Sequence, residues 1–311
     1  MIREELKMKI SVGNTQYPSE IGQFAFLKEA GFDGCDFSLG HYFLRNGVFG
    51  DIDNVTDEMI EEHFTMLRRE AEKVGFEICQ THSQFPGHPK SYDYNMDEII
   101  KREEACIKAT HYLGAKFCVV HPVFTANRRY DIEKNENFEA AIDFYKRLTP
   151  ALEKYDVYCC IENMWHCDPA YGHICATILS RAQEMVDMCN ILGDRFKICV
   201  DVGHGLLTQD NPCEMVRIAG DKLACLHTHD NDGILDLHTF PYFPHGKPYG
   251  MGWAPLNMNW EDFMKALDDV NYRGTLSFEL GAPGPEPLWM PGYKYMAKVA
   301  RYLASLREIK Y

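Results

Sequence analysis

A chain of 311 residues, 46% hydrophobic and 25% charged, has the ordinary composition of a globular protein with a large buried core. The formal net charge of −14 argues against a nucleic-acid partner held on a broad basic face. No apolar run approaches membrane-spanning length, and Met1 to Ile10 lacks a signal-peptide core, so a cytoplasmic protein without a membrane partner is expected.

Taken in order, Lys9 to Gly13 predicts a short strand and Ser19 to Ala30 a helix with Ile21, Phe24, Phe26 and Leu27 on its apolar side. Gly31 to Gly34 then leads into a second strand, Cys35 to Leu39. This βαβ unit repeats. Helix Thr56 to Val74, closed by Gly75, precedes strand Phe76 to Thr81; helix Met96 to Leu113, closed by Gly114, precedes strand Lys116 to Val120. Helix Asn137 to Tyr155 is followed by strand Val157 to Ile161, and a largely helical stretch, Ile174 to Leu192, by strand Phe196 to Val200. The short helix Pro212 to Ala219 precedes a strand opening at Leu223. Helix Trp260 to Val270, strand Thr275 to Phe278 and helix Tyr293 to Leu306 complete the chain.

About eight such alternations with nearly continuous apolar strands predict an α/β fold, a single (β/α)8 TIM barrel over residues 1–311. A doubly wound sheet is the alternative, but no glycine-rich phosphate loop follows the first strand. Of the 12 cysteines, Cys79, Cys118, Cys159, Cys160, Cys199 and Cys225 sit inside strand-like runs and no CxxC pair exists. Free core thiols are therefore expected.

A barrel of this kind gathers its chemistry at the C-terminal ends of its strands. Strand three ends at His82, strand four at His121, strand five at Glu162, strand six at Asp201 with His204 beyond it, strand seven at His227 and His229, and strand eight at Glu279. Asp230, Asp232, Asp236 and His238 follow strand seven. Six consecutive strands presenting imidazole or carboxylate at one end form the donor set of a divalent metal centre.

The segments IEN at Glu162, VDVGH at Asp201 to His204, HTHDND at His227 to Asp232, DLH at Asp236 to His238 and SFEL at Glu279 resemble the xylose isomerase-like TIM-barrel superfamily. That superfamily includes sugar phosphate isomerases and epimerases, ketose 3-epimerases and endonuclease IV. The resemblance implies a metal quartet of Glu162, Asp201, His229 and Glu279, with Glu162 and Glu279 as the acid/base pair moving a proton next to a sugar carbonyl through an enediolate. It implies substrate contacts from His204, with His82, His121, His238 and Trp165 beside it. His204 has the alternative role of orienting Asp201. Asp236, His238 and His227 are candidates for additional metal. Manganese suits the carboxylate-rich quartet and zinc the histidine-rich set; cobalt, iron(II) and magnesium are the other candidates.

Three departures blur the substrate. No arginine follows the strand-seven histidine, Asn163 to Asp168 lacks the glutamate of the epimerases, and Thr239 to Asn259 is an insertion carrying Phe240, Tyr242, Phe243, His245, Tyr249 and Trp253. The insertion reads as a lid over a sugar or as a homo-oligomer or hetero-subunit contact. Few loop cations are present, Lys247 and Arg128-Arg129 among them, which favours an unphosphorylated sugar or polyol. A lyase on the same scaffold, acting on a keto-inositol or a 3-keto-glycoside, is the alternative. Endonuclease IV's nine zinc-binding side chains also find counterparts, at His82, His121, Glu162, Asp201, His204, His229, Asp236, His238 and Glu279, but the acidic charge opposes a nucleic-acid substrate.

Overall fold

The computed structural model describes residues 8–85, 95–123, 134–168, 172–242, 258–281 and 285–307. The strands are β1 (Ile10–Gly13), β2 (Gly34–Ser38), β3 (Glu77–His82), β4 (Phe117–Val120), β5 (Tyr158–Glu162), β6 (Trp165–Cys167), β7 (Ile174–Ala176), β8 (Phe196–Asp201), β9 (Leu223–His227) and β10 (Leu276–Phe278). The α-helices are α1 (Gly22–Ala30), α2 (Gly40–Phe43), α3 (Asp57–Lys73), α4 (Met96–Tyr112), α5 (Lys134–Tyr155), α6 (Ala182–Leu192), α7 (Val202–Leu207), α8 (Pro212–Ala219), α9 (Trp260–Asp269) and α10 (Trp289–Ser305).

Eight strands pair in parallel in the order β10-β1-β2-β3-β4-β5-β8-β9, and a bridge between Thr228 and Phe278 brings the two ends together. This is the expected barrel. Local signals set its helices: the Thr56 side chain accepts from the backbone N–H of Met59 ahead of α3, and Asn95 accepts from that of Asp97 ahead of α4. Gly75 and Gly114 follow those helices with φ of 64° and 82°, a backbone that side chains rarely tolerate. Between helices and sheet lies the larger core, with Phe24, Phe37, Phe64, Phe144, Phe196 and Trp260 fully buried. Inside the barrel, beneath the strand ends, Val119, Cys160, Cys199 and Cys225 form a second, smaller cluster. None of the 12 cysteines forms a disulfide.

The stretch from Ile174 to Leu192 departs from its helical expectation. Its first three residues pair antiparallel with Trp165–Cys167, and helix begins only at Ala182. Ser180 forces the change: its hydroxyl accepts from the N–H of Thr177 (2.8 Å) and donates to the carbonyl of Met164 (2.5 Å), fixing a turn that ties this segment to the end of β5. Of the inserted aromatic residues, Phe240 and Tyr242 meet Tyr295 and Tyr302 of α10, with ring centroids 5.4 and 6.1 Å apart. Phe243, His245, Tyr249 and Trp253 lie outside the described residues, as do Lys247, Arg128 and Arg129.

Candidate active site

Six consecutive barrel strands each place a candidate residue at or just beyond their C-terminal end, and Asp236 and His238 come from the loop after β9. His82 ends β3, His121 follows β4, Glu162 ends β5, Asp201 ends β8, His227 ends β9 with His229 two residues on, and Glu279 follows β10. Glu162, Asp201, His227 and His229 are fully buried, whereas Glu279, Asp236 and His238 keep 26%, 21% and 33% of their side chains exposed. The site thus has a dry floor and a wet rim.

Asp201 serves two neighbours. As the N-cap of α7 its Oδ1 accepts from the backbone N–H of His204 at 2.6 Å, and its Oδ2 lies 3.2 Å from His229 Nε2. Asn163 locks the ends of β5 and β8 together: its Nδ2 donates to the carbonyl of Asp201 (2.8 Å) and its Oδ1 accepts the Asp201 N–H (2.7 Å). Gly203 is required by close approach, because a Cβ there would fall 1.9 Å from His229 Cε1. His229 also stacks on His238, with centroids 3.9 Å apart and planes 6° apart.

His227 occupies the centre. Its Nδ1 lies 2.7 Å from Glu162 Oε1, 3.6 Å from Glu279 Oε2 and 3.9 Å from Asp201 Oδ2, and its Nε2 lies 2.8 Å from Asp36 Oδ2. His82 lies between the two glutamates, with Nε2 3.8 Å from Glu162 Oε2 and Nδ1 3.6 Å from Glu279 Oε1. His121 Nε2 approaches Glu162 Oε2 at 2.7 Å and His82 Nε2 at 3.1 Å. On the far side, His204 Nδ1 meets the carbonyl of Asn163 at 2.8 Å, while Asp236 spans His204 (3.7 Å) and His238 (3.3 Å). Trp165 sets its ring 6.3 Å from that of His204, with its buried Nε1 unbonded. The floor and rim residues expected from the sequence are therefore brought together.

Charge in this cluster follows from proximity. Burial would raise Glu162, yet His227 and His121 hold its carboxyl well below the usual range. Burial raises Glu279 to about 8, helped by the repulsion of Glu162 and Asp201 and opposed by His227. Burial and the neighbouring His121 and His227 push His82 down to about 3, so it is neutral. Burial also works against protonating His204, but Asp201, Asp236 and Glu162 raise it well above the ordinary value; His238 rises to about 9 against burial through Asp236 and Glu279. One glutamate is ionised and the other protonated at neutral pH.

A divalent cation fits these residues. Glu279 Oε2 and His229 Nδ1 are buried without a hydrogen-bond partner, a costly state unless something else engages them. Donor atoms also converge within 4.8 Å of one another in the trios His82–His121–Glu162, Asp201–His204–His229 and His229–Asp236–His238. Trios containing His227 converge as well, Asp36–His82–His227 and Glu162–Cys199–His227, and its Nδ1 lies within 3.9 Å of oxygens of Glu162, Asp201 and Glu279. Two contributors escaped the sequence reading. Asp36 is a charge inside the buried run GCDFS, which was its signal; Gly203 had none, because its need arises from the facing strand.

A family model described as a xylose isomerase-like TIM barrel matches residues 24–304. The uncharacterized protein MJ1614 of Methanocaldococcus jannaschii is 31% identical over 159 residues, 51% of this chain and 53% of that protein. The D-psicose 3-epimerase of Enterocloster bolteae is 26% identical over 171 residues, 54% of this chain and 48% of that protein. The chain thus spans about half the length of these relatives. Solved structures share the fold at 14–16% identity. A D-tagatose 3-epimerase-like protein superposes with a TM-score of 0.68, covering 97% of this chain and 98% of that one. The 3-keto-D-glucoside 4-epimerase YcjR of E. coli gives 0.63 over 94% and 100%, and an IOLI protein with a bound zinc atom gives 0.63 over 97% and 98%.

Proposed function

This chain belongs to the xylose isomerase-like TIM-barrel family, and on that premise we propose that it is a divalent-metal-dependent isomerase or epimerase of a small sugar or polyol. One observation carries the reading: two glutamates at the ends of β5 and β10 face one interior on either side of His227 Nδ1, 2.7 Å from Glu162 Oε1 and 3.6 Å from Glu279 Oε2, one held ionised and the other protonated. Glu162, as the carboxylate, takes a proton from the carbon next to a carbonyl. Glu279, whose side chain is 26% exposed at the rim and can draw a proton from solvent, returns one to the opposite face for epimerisation or to the adjacent carbon for isomerisation. Glu162, Asp201, His229 and Glu279 would hold the metal, which when bound supplies positive charge to the oxygens of the reacting carbons. The carboxylate-rich quartet favours manganese.

His204 and His238, both bearing protons, donate to substrate hydroxyls from the rim, and neutral His82 and His121 line the opposite wall. Trp165 offers an aromatic face and a free indole N–H at the mouth. The net charge of −14 disfavours a polyanionic substrate. The eight-fold alternation from Ile10 to Phe278 supports reading 1–311 as one domain. No described helix is long and apolar enough to cross a membrane.

The test is proton exchange with solvent. The Mn²⁺-loaded protein is incubated in D₂O with a panel of ketoses, aldoses and keto-inositols, and carbon-bound deuterium is followed by NMR. Exchange in one substrate, lost in both Glu162→Gln and Glu279→Gln, is the expected result. Exchange that survives either substitution removes that glutamate from the reaction, and no exchange across the panel removes the reading.

A further inference from the structure

Asp201 is anchored through its backbone as well as its side chain. The ladder between β5 and β8 ends at the pair Glu162 and Cys199, two residues before Asp201. Past that point the chain leaves the sheet for the β6–β7 hairpin, yet the N–H and C=O of Asp201 still point to the β5 side. The Asn163 side chain takes both: its Oδ1 accepts the N–H at 2.7 Å, and its Nδ2 donates to the carbonyl at 2.8 Å. A backbone N–H can only donate and a carbonyl only accept. The amide therefore has one orientation, and neither bond depends on a protonation state or a bound ion.

The Asp201 side chain is fixed in the same way. Its Oδ1 accepts from the backbone N–H of His204 at 2.6 Å, capping α7, which leaves Oδ2 on the side of His229. Glu162, Asn163 and Asp201 are all fully buried, so no solvent competes for these bonds. Asn163 is also joined to Glu162 by a single peptide unit. One side-chain amide thus relates the carboxylate of β5 to the carboxylate of β8. Another backbone rung could hold Asp201 equally well, but it would keep the chain in the sheet. A side chain in that place lets Met164 and Trp165 turn away, and the Met164 carbonyl instead accepts from the Ser180 hydroxyl.

We propose that Asn163 is a positioning residue: its amide replaces the missing rung, sets Asp201 against Glu162 and directs Asp201 Oδ2 to the metal. This deepens the functional reading above and rests on it for its consequence, but the anchoring can be tested without metal or substrate.

Two measurements decide it. In NMR of the metal-free wild type, the Asp201 N–H is expected to exchange slowly with solvent, and Asn163 Nδ2 to show a through-hydrogen-bond coupling to the Asp201 carbonyl carbon. A fast-exchanging N–H without that coupling overturns the proposal before any variant is made. Mn²⁺ affinity, read from the EPR signal of free Mn²⁺, is expected to fall about 10- to 100-fold in Asn163→Leu, with the spectrum of bound Mn²⁺ altered. Asn163→Ser, which perturbs the packing less, is expected to lose affinity in the same direction and keeps the test open if Asn163→Leu does not fold. The comparison is Arg102→Met, which also strands backbone groups, the carbonyls of Phe43 and Gly50, but outside the site; it should leave affinity and spectrum unchanged. Affinity within threefold of wild type in the Asn163 variants, or an equal loss in Arg102→Met, would show that Asn163 serves folding alone and overturn the proposal. If the wild type binds no Mn²⁺, the metal clause of the functional reading falls, and the coupling decides separately whether Asn163 holds Asp201.

Discussion

Replacing Gly203 by alanine tests the architecture of the site through a single carbon. The added Cβ would lie 1.9, 2.4 and 2.6 Å from His229 Cε1, Nδ1 and Nε2. Ordinary contact begins near 3.4 Å, so the ring must retreat by about 1.5 Å. It has little room: His238 is stacked on it at 3.9 Å, and Asp201 Oδ2 sits 3.2 Å from its Nε2. Overpacking of this kind costs about 1–3 kcal/mol of stability, and a misplacement near 1 Å in a site costs about 100-fold in function. Gly203→Ala should therefore fold with a lowered melting temperature and bind Mn²⁺ about 100-fold more weakly, as measured by free-Mn²⁺ EPR alongside calorimetry. Retention of affinity within about threefold would refute the reasoning, since it would mean that the position of His229 is irrelevant to the metal.

Glu162→Gln and Glu279→Gln should each lower substrate deuterium exchange by about 100- to 10,000-fold, the usual contribution of an acid or base, while leaving the melting temperature of the metal-free protein within a few degrees. Because Glu279 binds its proton up to about pH 8, Mn²⁺ must displace that proton below this pH. Affinity should thus climb about tenfold per pH unit towards 8 and then flatten, and Glu279→Gln should remove the break; a profile without a break in the wild type contradicts the assignment. Away from the site, Arg102 is 2% exposed and donates to the carbonyls of Phe43 and Gly50 and to the carboxylate of Glu98. Arg102→Met strands the two carbonyls while Glu98 keeps Arg45, and should destabilise the protein by about 1–3 kcal/mol in urea titration without altering Mn²⁺ affinity.

The barrel was legible because its signals are local and repeated: continuous apolar strands, amphipathic helices and the closing glycines Gly75 and Gly114. The active-site ligands were legible for a related reason, since the end of each strand can be found without knowing how the strands pair. What depended on contacts across the barrel was hidden. Asp36 reads as an oddity until β9 places His227 against it, and Gly203 reads as one of 23 glycines until His229 is seen in the space a methyl would take. The segment Ile174 to Ala176 was misread because its periodicity suits a helix, while its pairing with Trp165–Cys167 is set by one hydroxyl, that of Ser180, reaching back to Met164.

The thiols spread through the barrel and its loops give the molecule a built-in set of clocks. Cys167 is exposed and Cys79 and Cys175 are partly so, whereas Cys118, Cys159, Cys160, Cys199 and Cys225 are completely enclosed, the last lying 3.5 Å from the Cys160 sulfur. An alkylating reagent reaches the enclosed sulfurs only when strands part, so the rate at which each cysteine is labelled reports the free energy of the smallest opening that uncovers it. Mass-resolved labelling should therefore separate fraying of the β6–β7 hairpin, seen at Cys167 and Cys175, from parting of β5, β8 and β9, seen at Cys160, Cys199 and Cys225. A cation bound at the strand ends directly above them should slow the second group and leave the first unchanged.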